Sequence, residues 1–409
     1  MDTTGTIGLV DTGAGPPQAK VKNTTRTSAA FIQLILAAAF TTFHRHMSLL
    51  IRTWNDSLKQ LSISNGSWIE PDSDPEFDLR RYWALPGLAD CHAHLAVDSL
   101  KDVSAAGEIG GIERRAFAQL QSGVFLVIDK GWRDDVVLRL IEHPPPTRPE
   151  LRGAGRIITG KHGYFPGFGV EVSDSELAAA VKESDPSGGW VKLIGDWPQK
   201  GRGPVINFSE EALADACRIA HQADLRVAIH TMGPDTPGMA VRAGCDSIEH
   251  GLYLTEDDLE RLGTRGGAWV PTICNTEDVM SGFGSGSTAA RVLGAGLENV
   301  RRLLPLASDM GVVVLAGTDL GLPHGRVSLE AVRLQEYGLG AHQSVEAAGP
   351  NAYLYLGLPT LEAGASADLL LFETDPNQDL SVLSRPVVGI RSGQVVFDHI
   401  GVLAEWGAV

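Results

Sequence analysis

From about residue 84 to residue 316 the chain repeats one alternation, a short apolar run followed by a stretch with helical spacing. The runs cover residues 83–91, 124–129, 156–159, 190–194, 226–229, 247–248, 268–273 and 312–316. Each has strand length and little polar–apolar alternation, as strands covered by helices on both faces do. The stretches between them carry helix signals. Ser173 precedes a helix over 174–183, with Glu176 placed to complete a capping box. Ser209 precedes 210–223, Thr255 precedes 257–262, and the longest stretch, 289–310, contains Pro305, which predicts a kink or an end. Eight strand–helix units in about 240 residues predict an α/β fold, a (β/α)8 or TIM barrel.

Short strand-like runs flank this region. Gln60-Leu61-Ser62-Ile63-Ser64 alternates like a half-buried strand, and Asn65-Gly66 signals a hairpin turn. After residue 358 another apolar run, 369–372, and a hairpin over 387–396 follow. Pairing of the two ends predicts a small β-sandwich built from 47–84 and 358–409, beside a barrel over 85–357. Residues 1–46 are expected to be a disordered or non-native extension. Their apolar run, 29–40, is too short to span a bilayer but has the length of a signal core, so export is the alternative to a cytoplasmic location. Pro144-Pro145-Pro146 predicts a rigid connection, and the Gly/Ser-rich residues 281–287 a mobile flap over the barrel mouth. A formal charge of −16 without a basic patch argues against nucleic acid as a partner. The four cysteines form no C-x-x-C, which argues against a disulfide framework.

A barrel of this kind keeps its site at the C-terminal strand ends. The first strand ends in His92-Ala93-His94, whose imidazoles share one face at positions i and i+2. Lys192 lies in the fourth strand, His230 ends the fifth, Glu249-His250-Gly251 the sixth, and Gly317-Thr318-Asp319 the eighth. Four imidazoles and a carboxylate suit Zn²⁺ or a similar divalent ion. Lys130 and Arg133 follow strand two, Lys161, His162 and Tyr164 strand three, and His324 strand eight. Their places suit binding of a substrate carboxylate or carbonyl, and equally suit solvated loop residues. His143, His221, His342 and His399 read as surface residues. Cys91 is expected to face away from His92 and pack against a helix.

The motifs Leu85-Pro86-Gly87-Leu88-Ala89-Asp90-Cys91-His92-Ala93-His94, Trp190-Val191-Lys192-Leu193, Val227-Ala228-Ile229-His230, Asp246-Ser247-Ile248-Glu249-His250-Gly251, Val270-Pro271-Thr272, Ala316-Gly317-Thr318-Asp319 and Ala365-Ser366-Ala367-Asp368-Leu369 carry a resemblance. Over about residues 84–397 the chain resembles the amidohydrolase superfamily of metal-dependent hydrolases, and most closely its imidazolonepropionase-like, Xaa-Pro dipeptidase-like branch. The resemblance implies two divalent ions, expected to be Zn²⁺. His92, His94 and Asp319 would hold one, His230 and His250 the other, and an N-carboxylated Lys192 would bridge them. It implies hydrolysis of an amide-type bond, as in a dipeptide or N-acyl amino acid, by hydroxide held between the ions, with Asp319 as the proton carrier. His162, Tyr164, His324 and Lys130 are the candidate substrate contacts. The alternatives are a cyclic amide or lactone hydrolase with one metal, as in imidazolonepropionase, and a non-catalytic metal-binding barrel. A small-molecule substrate, no membrane partner and a homo-oligomer are expected.

Overall fold

The computed structural model describes residues 47–98, 107–143, 147–199 and 202–403. The extension 1–46, with its apolar run, and the prolines 144–146 lie outside the described residues.

The two ends of the chain build one seven-stranded mixed sheet. Met47–Thr53 pairs antiparallel with Leu58–Ser64 and parallel with Phe77–Leu85, and Leu369–Phe372 pairs antiparallel with Phe77–Leu85. N- and C-terminal strands therefore meet as expected. Asn65 and Gly66 take φ of 49° and 79° and turn the chain from Ser64 to its partner Ser67. This is the left-handed geometry that a two-residue hairpin needs. Leu49, Ile51, Ile63, Trp68, Leu369 and Ile390 are buried in a core of their own.

Apart from the antiparallel hairpin of Asp196–Gln199 and Gly203–Ile206, the remaining strands are parallel and fall in two sheets. One pairs Leu88–Ala93, Val124–Asp129 and Glu150–Gly153. The other runs Val313–Val314, Ala268–Val270, Ser247–His250, Arg226–Thr231, Trp190–Ile194, Ile157–Gly160, Val170–Val172. Single contacts join them at both margins. The Cys91 N–H donates to the Ala316 carbonyl at 2.9 Å, and parallel bridges link Trp132 to Arg156 and Gly153 to Gly189.

Several elements differ from the sequence expectation. The run 83–91 is two strands, split at Pro86-Gly87. Proline has no N–H for a ladder. Gly87 takes φ 152°, where an added Cβ would meet the Tyr353 hydroxyl at 2.6 Å. The first half joins the mixed sheet and the second, Leu88–Ala93, the parallel one. The third run is one strand, Ile157–Gly160, and a further strand that the sequence reading left out, Glu150–Gly153, precedes it. The seventh stops at Val270, before Pro271, and Ile273 opens a helix, Ile273–Ser281. Residues 281–287 connect that helix to the next, Thr288–Ala307, whose cap is Ser287, its Oγ accepting from the Ala290 N–H at 3.1 Å. Pro305 lies inside this helix, two residues from its end, where only the last turn must absorb it.

The caps at Ser173, Ser209 and Thr255 form as read. Ser173 N–H donates to Glu176 Oε2 at 2.8 Å ahead of Asp174–Lys182. Cys91 joins the apolar cluster of the strand residues Leu126, Ile128, Trp190 and Val270, with Ala352 and Tyr353 from the short helix Pro350–Tyr355. Simple alternation fails there because the ladder register shifts between Asp90 and Ala93. All four cysteines are free, and Cys217 Sγ lies 3.5 Å from Cys245 Sγ. Among the described residues no helix is long and apolar enough to cross a membrane.

Candidate metal centre

Leu88–Ala93 is buried along its whole length. At its end the chain is tied to the segment that carries Asp319. Asp90 accepts from Thr318 N–H at 3.1 Å and Thr318 Oγ1 at 2.7 Å, and Asp319 N–H donates to the His92 carbonyl at 2.7 Å. Gly317 allows this approach, since a Cβ there would lie 2.8 Å from the His92 nitrogen. His250, Thr272 and Asp319 take φ of 61°, 46° and 38°. Each left-handed non-glycine residue costs on the order of 1–3 kcal/mol, and such strain collects at functional sites. Here it turns His250 and Asp319 away from their strand directions and toward His92 and His94.

Asp319 Oδ1 lies 3.3 Å from His92 Nε2 and 3.3 Å from His94 Nε2, and its Oδ2 is 3.7 Å from His250 Nε2. His92, His94 and Asp319 form a group whose donor atoms lie within 4.8 Å of one another. The outer ring nitrogens meet acceptors. His94 Nδ1 is 2.8 Å from the Gly131 carbonyl. His250 Nδ1 is 2.5 Å from Thr272 Oγ1, whose own proton goes to the Pro271 carbonyl. His92 Nδ1 is 2.6 Å from the Glu249 carboxylate in a close but bent contact. All three partners favour the proton on Nδ1 and leave a lone pair on Nε2, the arrangement outer partners impose on metal-binding histidines. His230 Nδ1 faces His250 Nε2 at 2.9 Å, and His230 Nε2 is buried without a hydrogen-bond partner among the described residues. Burial holds His230 and His250 well below the usual imidazole range, His250 at about 3. Burial opposes the Asp319 charge; positively charged His92 and His94 outweigh it and hold its carboxyl well below the usual range, a role that falls to a cation when those imidazoles are neutral.

Lys192 reaches the same interior. Its Nζ is buried and has no hydrogen-bond partner among the described residues, and burial lowers its pKa to about 8. Lys130 is 1% exposed. Its Nζ lies 3.0 Å from Glu249 Oε1 and 4.5 Å from the Trp190 ring centroid. It is thus an internal ion-pair partner and not a solvated loop residue. Glu249 is the residue that sequence reasoning passed over. It is fully buried, and its carboxylate takes His92, Lys130 and the Ser247 hydroxyl at 2.6 Å. A second is Asn275, whose Nδ2 donates to Asp319 Oδ2 at 2.8 Å.

Of the other candidates, Tyr164 stays beside the centre and the rest are dispersed. Tyr164 is half-buried against Trp197, and its hydroxyl is held protonated by burial and by the Asp319 charge. His162 is exposed. His324 Nε2 sits 2.9 Å from the Val97 carbonyl, which ties it to the loop after the first parallel strand. Lys161 is exposed as well. His143, His221 and His342 lie by Glu113, Asp246 and Glu346, and His399 stacks on Phe397.

The amidohydrolase family model matches residues 83–396, which includes every residue of this centre. The chain belongs to the amidohydrolase family. It is a hydrolase acting on carbon–nitrogen bonds. This amidohydrolase is 36% identical over 326 residues to an uncharacterized protein of Mycobacterium tuberculosis, covering 76% of this chain and 85% of that one. It is 28% identical over 371 residues to ochratoxinase of Aspergillus niger, covering 79% and 77%. Among solved structures, a Xaa-Pro dipeptidase with bound methionine superposes with TM-score 0.71 at 24% identity, over 86% of this chain and 99% of that one. The A. niger ochratoxinase structure superposes with TM-score 0.72 at 20% identity, over 87% and 96%. These likenesses concern the α/β fold.

Proposed function

We propose that this amidohydrolase cleaves the amide bond of a dipeptide or N-acyl amino acid at a binuclear centre, with Lys192 carboxylated between two divalent ions. In this reading the two parallel sheets are the wall of one (β/α)8 barrel and the mixed sheet is the small sandwich beside it. The observation that carries it is the Lys192 amine, buried without a hydrogen-bond partner among the described residues and within electrostatic reach of the Glu249 and Asp319 carboxylates and the His230 and His250 imidazoles. An isolated buried ammonium is costly. An amine held at about 8 is available to add to CO₂, forming an N–C bond and releasing a proton.

The donor set fits a divalent ion. With the protons on Nδ1, the lone pairs of His92 and His94 face the Asp319 carboxylate at 3.3 Å, a repulsive arrangement that a cation between them relieves. His92, His94 and Asp319 would hold one ion and His230 and His250 a second, with zinc suited to nitrogen and oxygen donors. Bound there, the ions supply Lewis acidity toward the scissile carbonyl and acidify water. The chain's own groups do the rest. Asp319, held ionised, takes the proton of the attacking water and passes it to the leaving nitrogen. Asn275 fixes the Asp319 carboxylate through Oδ2. The Tyr164 hydroxyl remains a donor for the carbonyl oxygen or substrate carboxylate.

One observation favours a single ion, because among the described residues only His92, His94 and Asp319 form a compact donor group while His230 and His250 face each other. Metal analysis separates the readings, with two ions per chain expected here. Lys192→Arg is expected to lose the second ion and nearly all turnover on a panel of dipeptides and N-acyl amino acids. Guanidinium stays charged and forms no such carbamate. Wild-type turnover with undiminished metal in Lys192→Arg overturns the carboxylated-lysine reading, and cleavage of lactones alone overturns the amide reading.

A further inference from the structure

The chain is poor in aromatic residues, at 6%, yet it gathers several of them beside the centre. Tyr164, Phe165 and Phe168 come from the loop after Ile157–Gly160, and Trp197 from the hairpin of Asp196–Gln199 and Gly203–Ile206. Trp197 lies 4.6 Å from Tyr164 and 4.8 Å from Phe165, centroid to centroid, and 5.5 Å from the His230 ring. Phe165 lies 5.9 Å from Phe168. All four residues are half-buried.

The backbone that carries them is pinned. Asn207 Nδ2 donates to the Gly163 carbonyl at 2.9 Å and to the Ile194 carbonyl at 2.9 Å, joining the aromatic loop to the strand of Lys192. Gly163 permits this, since a Cβ would lie 2.1 Å from Asn207 Oδ1. Asp196, at the base of the hairpin, accepts from Met232 N–H and Gly233 N–H, just past His230, at 3.1 and 2.9 Å. The rings are therefore pre-placed against a site residue. Fixed apolar walls with convergent polar groups are the usual make-up of a substrate pocket, and flat rings favour another ring in edge-to-face or offset contact.

We infer that Trp197, Tyr164 and Phe165 form a subsite, on the His230 side of the centre, for an aromatic side chain of the substrate. The amidohydrolase then prefers amides of ring-bearing amino acids to those of alanine. This deepens the proposed function and rests on it for the bond cleaved. The test compares Phe-Ala, Ala-Phe and Ala-Ala on metal-loaded enzyme. At least one phenylalanyl dipeptide is expected to exceed Ala-Ala about tenfold in kcat/KM, and Trp197→Ala to remove that preference. Calorimetric binding of free phenylalanine and alanine, which needs no turnover, is measured in parallel. Phenylalanine is expected to bind more tightly than alanine to the wild type and to lose that advantage in Trp197→Ala. If no dipeptide is cleaved, the dipeptide form of the proposed function fails while the binding arm still decides the subsite. If Trp197→Ala does not fold by circular dichroism, Phe165→Ala supplies the same comparison. Equal binding of the two amino acids by the wild type, or a preference unchanged in the variants, overturns the subsite.

Discussion

Glu249 shows how a single buried carboxylate sets the state of its neighbours. It faces His92 Nδ1 at 2.6 Å and Lys130 Nζ at 3.0 Å, and it is fully buried. Burial works against its charge, but Lys130, His92 and Lys192 outweigh it and keep the carboxyl well below its usual range. Outer partners of this kind change metal affinity by about 10- to 100-fold. Glu249→Gln is therefore expected to weaken metal binding by about that factor, read by competition with a chelator. It also strands the Lys130 charge, at a cost of roughly 3–5 kcal/mol. Adding Lys130→Met to Glu249→Gln is expected to recover thermal stability but not metal affinity. Recovery of both would mean that Glu249 serves packing alone. His92, His94, His230, His250 and Asp319 could be singled out in the sequence as candidates because each ends an apolar run. Glu249 could not, because it shares a strand end with His250, and strand alternation sends neighbouring side chains to opposite faces. Only the left-handed turn at His250, φ 61°, brings both to one centre.

At the scale of elements, the helix Ile273–Ser281 stands where a longer seventh strand was expected. Thr272, just before it, meets His250, and its own Asn275 meets Asp319, so its placement sets two site contacts. Its first amides are satisfied from another helix, Val327–Glu336. Glu330 accepts from Ile273 N–H at 2.7 Å and Cys274 N–H at 3.0 Å. Burial raises the Glu330 pKa from 4.5 to about 7. Below about pH 4.5 the group is protonated in both folded and unfolded states and costs nothing. Between about pH 4.5 and 7 the unfolded chain ionises this group while the folded chain keeps it protonated, so its contribution falls by roughly 3 kcal/mol, a loss complete once the folded group ionises above 7. Glu330→Gln lacks that titration. Its Tm relative to wild type is expected to shift in its favour by several degrees between pH 5 and pH 8, measured by calorimetry at both values. A gap that stays constant, or moves the other way, would show that Glu330 does not titrate in this range. The sequence read helices well where a cap and a periodic face coincide, as at Ser173 and Thr255. It misread 271–273 because apolar residues after a strand continue its pattern, while Pro271 and the Glu330 carboxylate end it.

At the scale of the molecule, the centre couples strands that are far apart in the chain. An ion bound there favours the folded state by mass action. Dialysis against a chelator is expected to lower Tm, to abolish amide hydrolysis, and to lose both effects when Zn²⁺ is restored. An unchanged Tm with full activity after proven metal removal would refute a metal centre altogether. The alternation of strands and helices was decided locally, by burial on both faces and by caps, and so was legible in the sequence. The meeting of the two chain ends was legible too, since both carry strand patterns without intervening helices, and Leu369–Phe372 does pair with Phe77–Leu85. Where one sheet stops and the other begins was not. The break at Pro86-Gly87 depends on Phe125 and Tyr353 crowding the glycine. The unread strand Glu150–Gly153 pairs with Val124–Asp129, while Ile157–Gly160 pairs with Trp190–Ile194. What the sequence by itself determined were the elements and the residue types at their ends, because hydrophobic period and metal-binding chemistry are local properties. Only the tertiary structure decided the ion pair of Glu249 and Lys130, the tautomers of the imidazoles and the aromatic wall at Trp197. Each of these depends on groups distant in sequence being brought together, buried and left to satisfy one another.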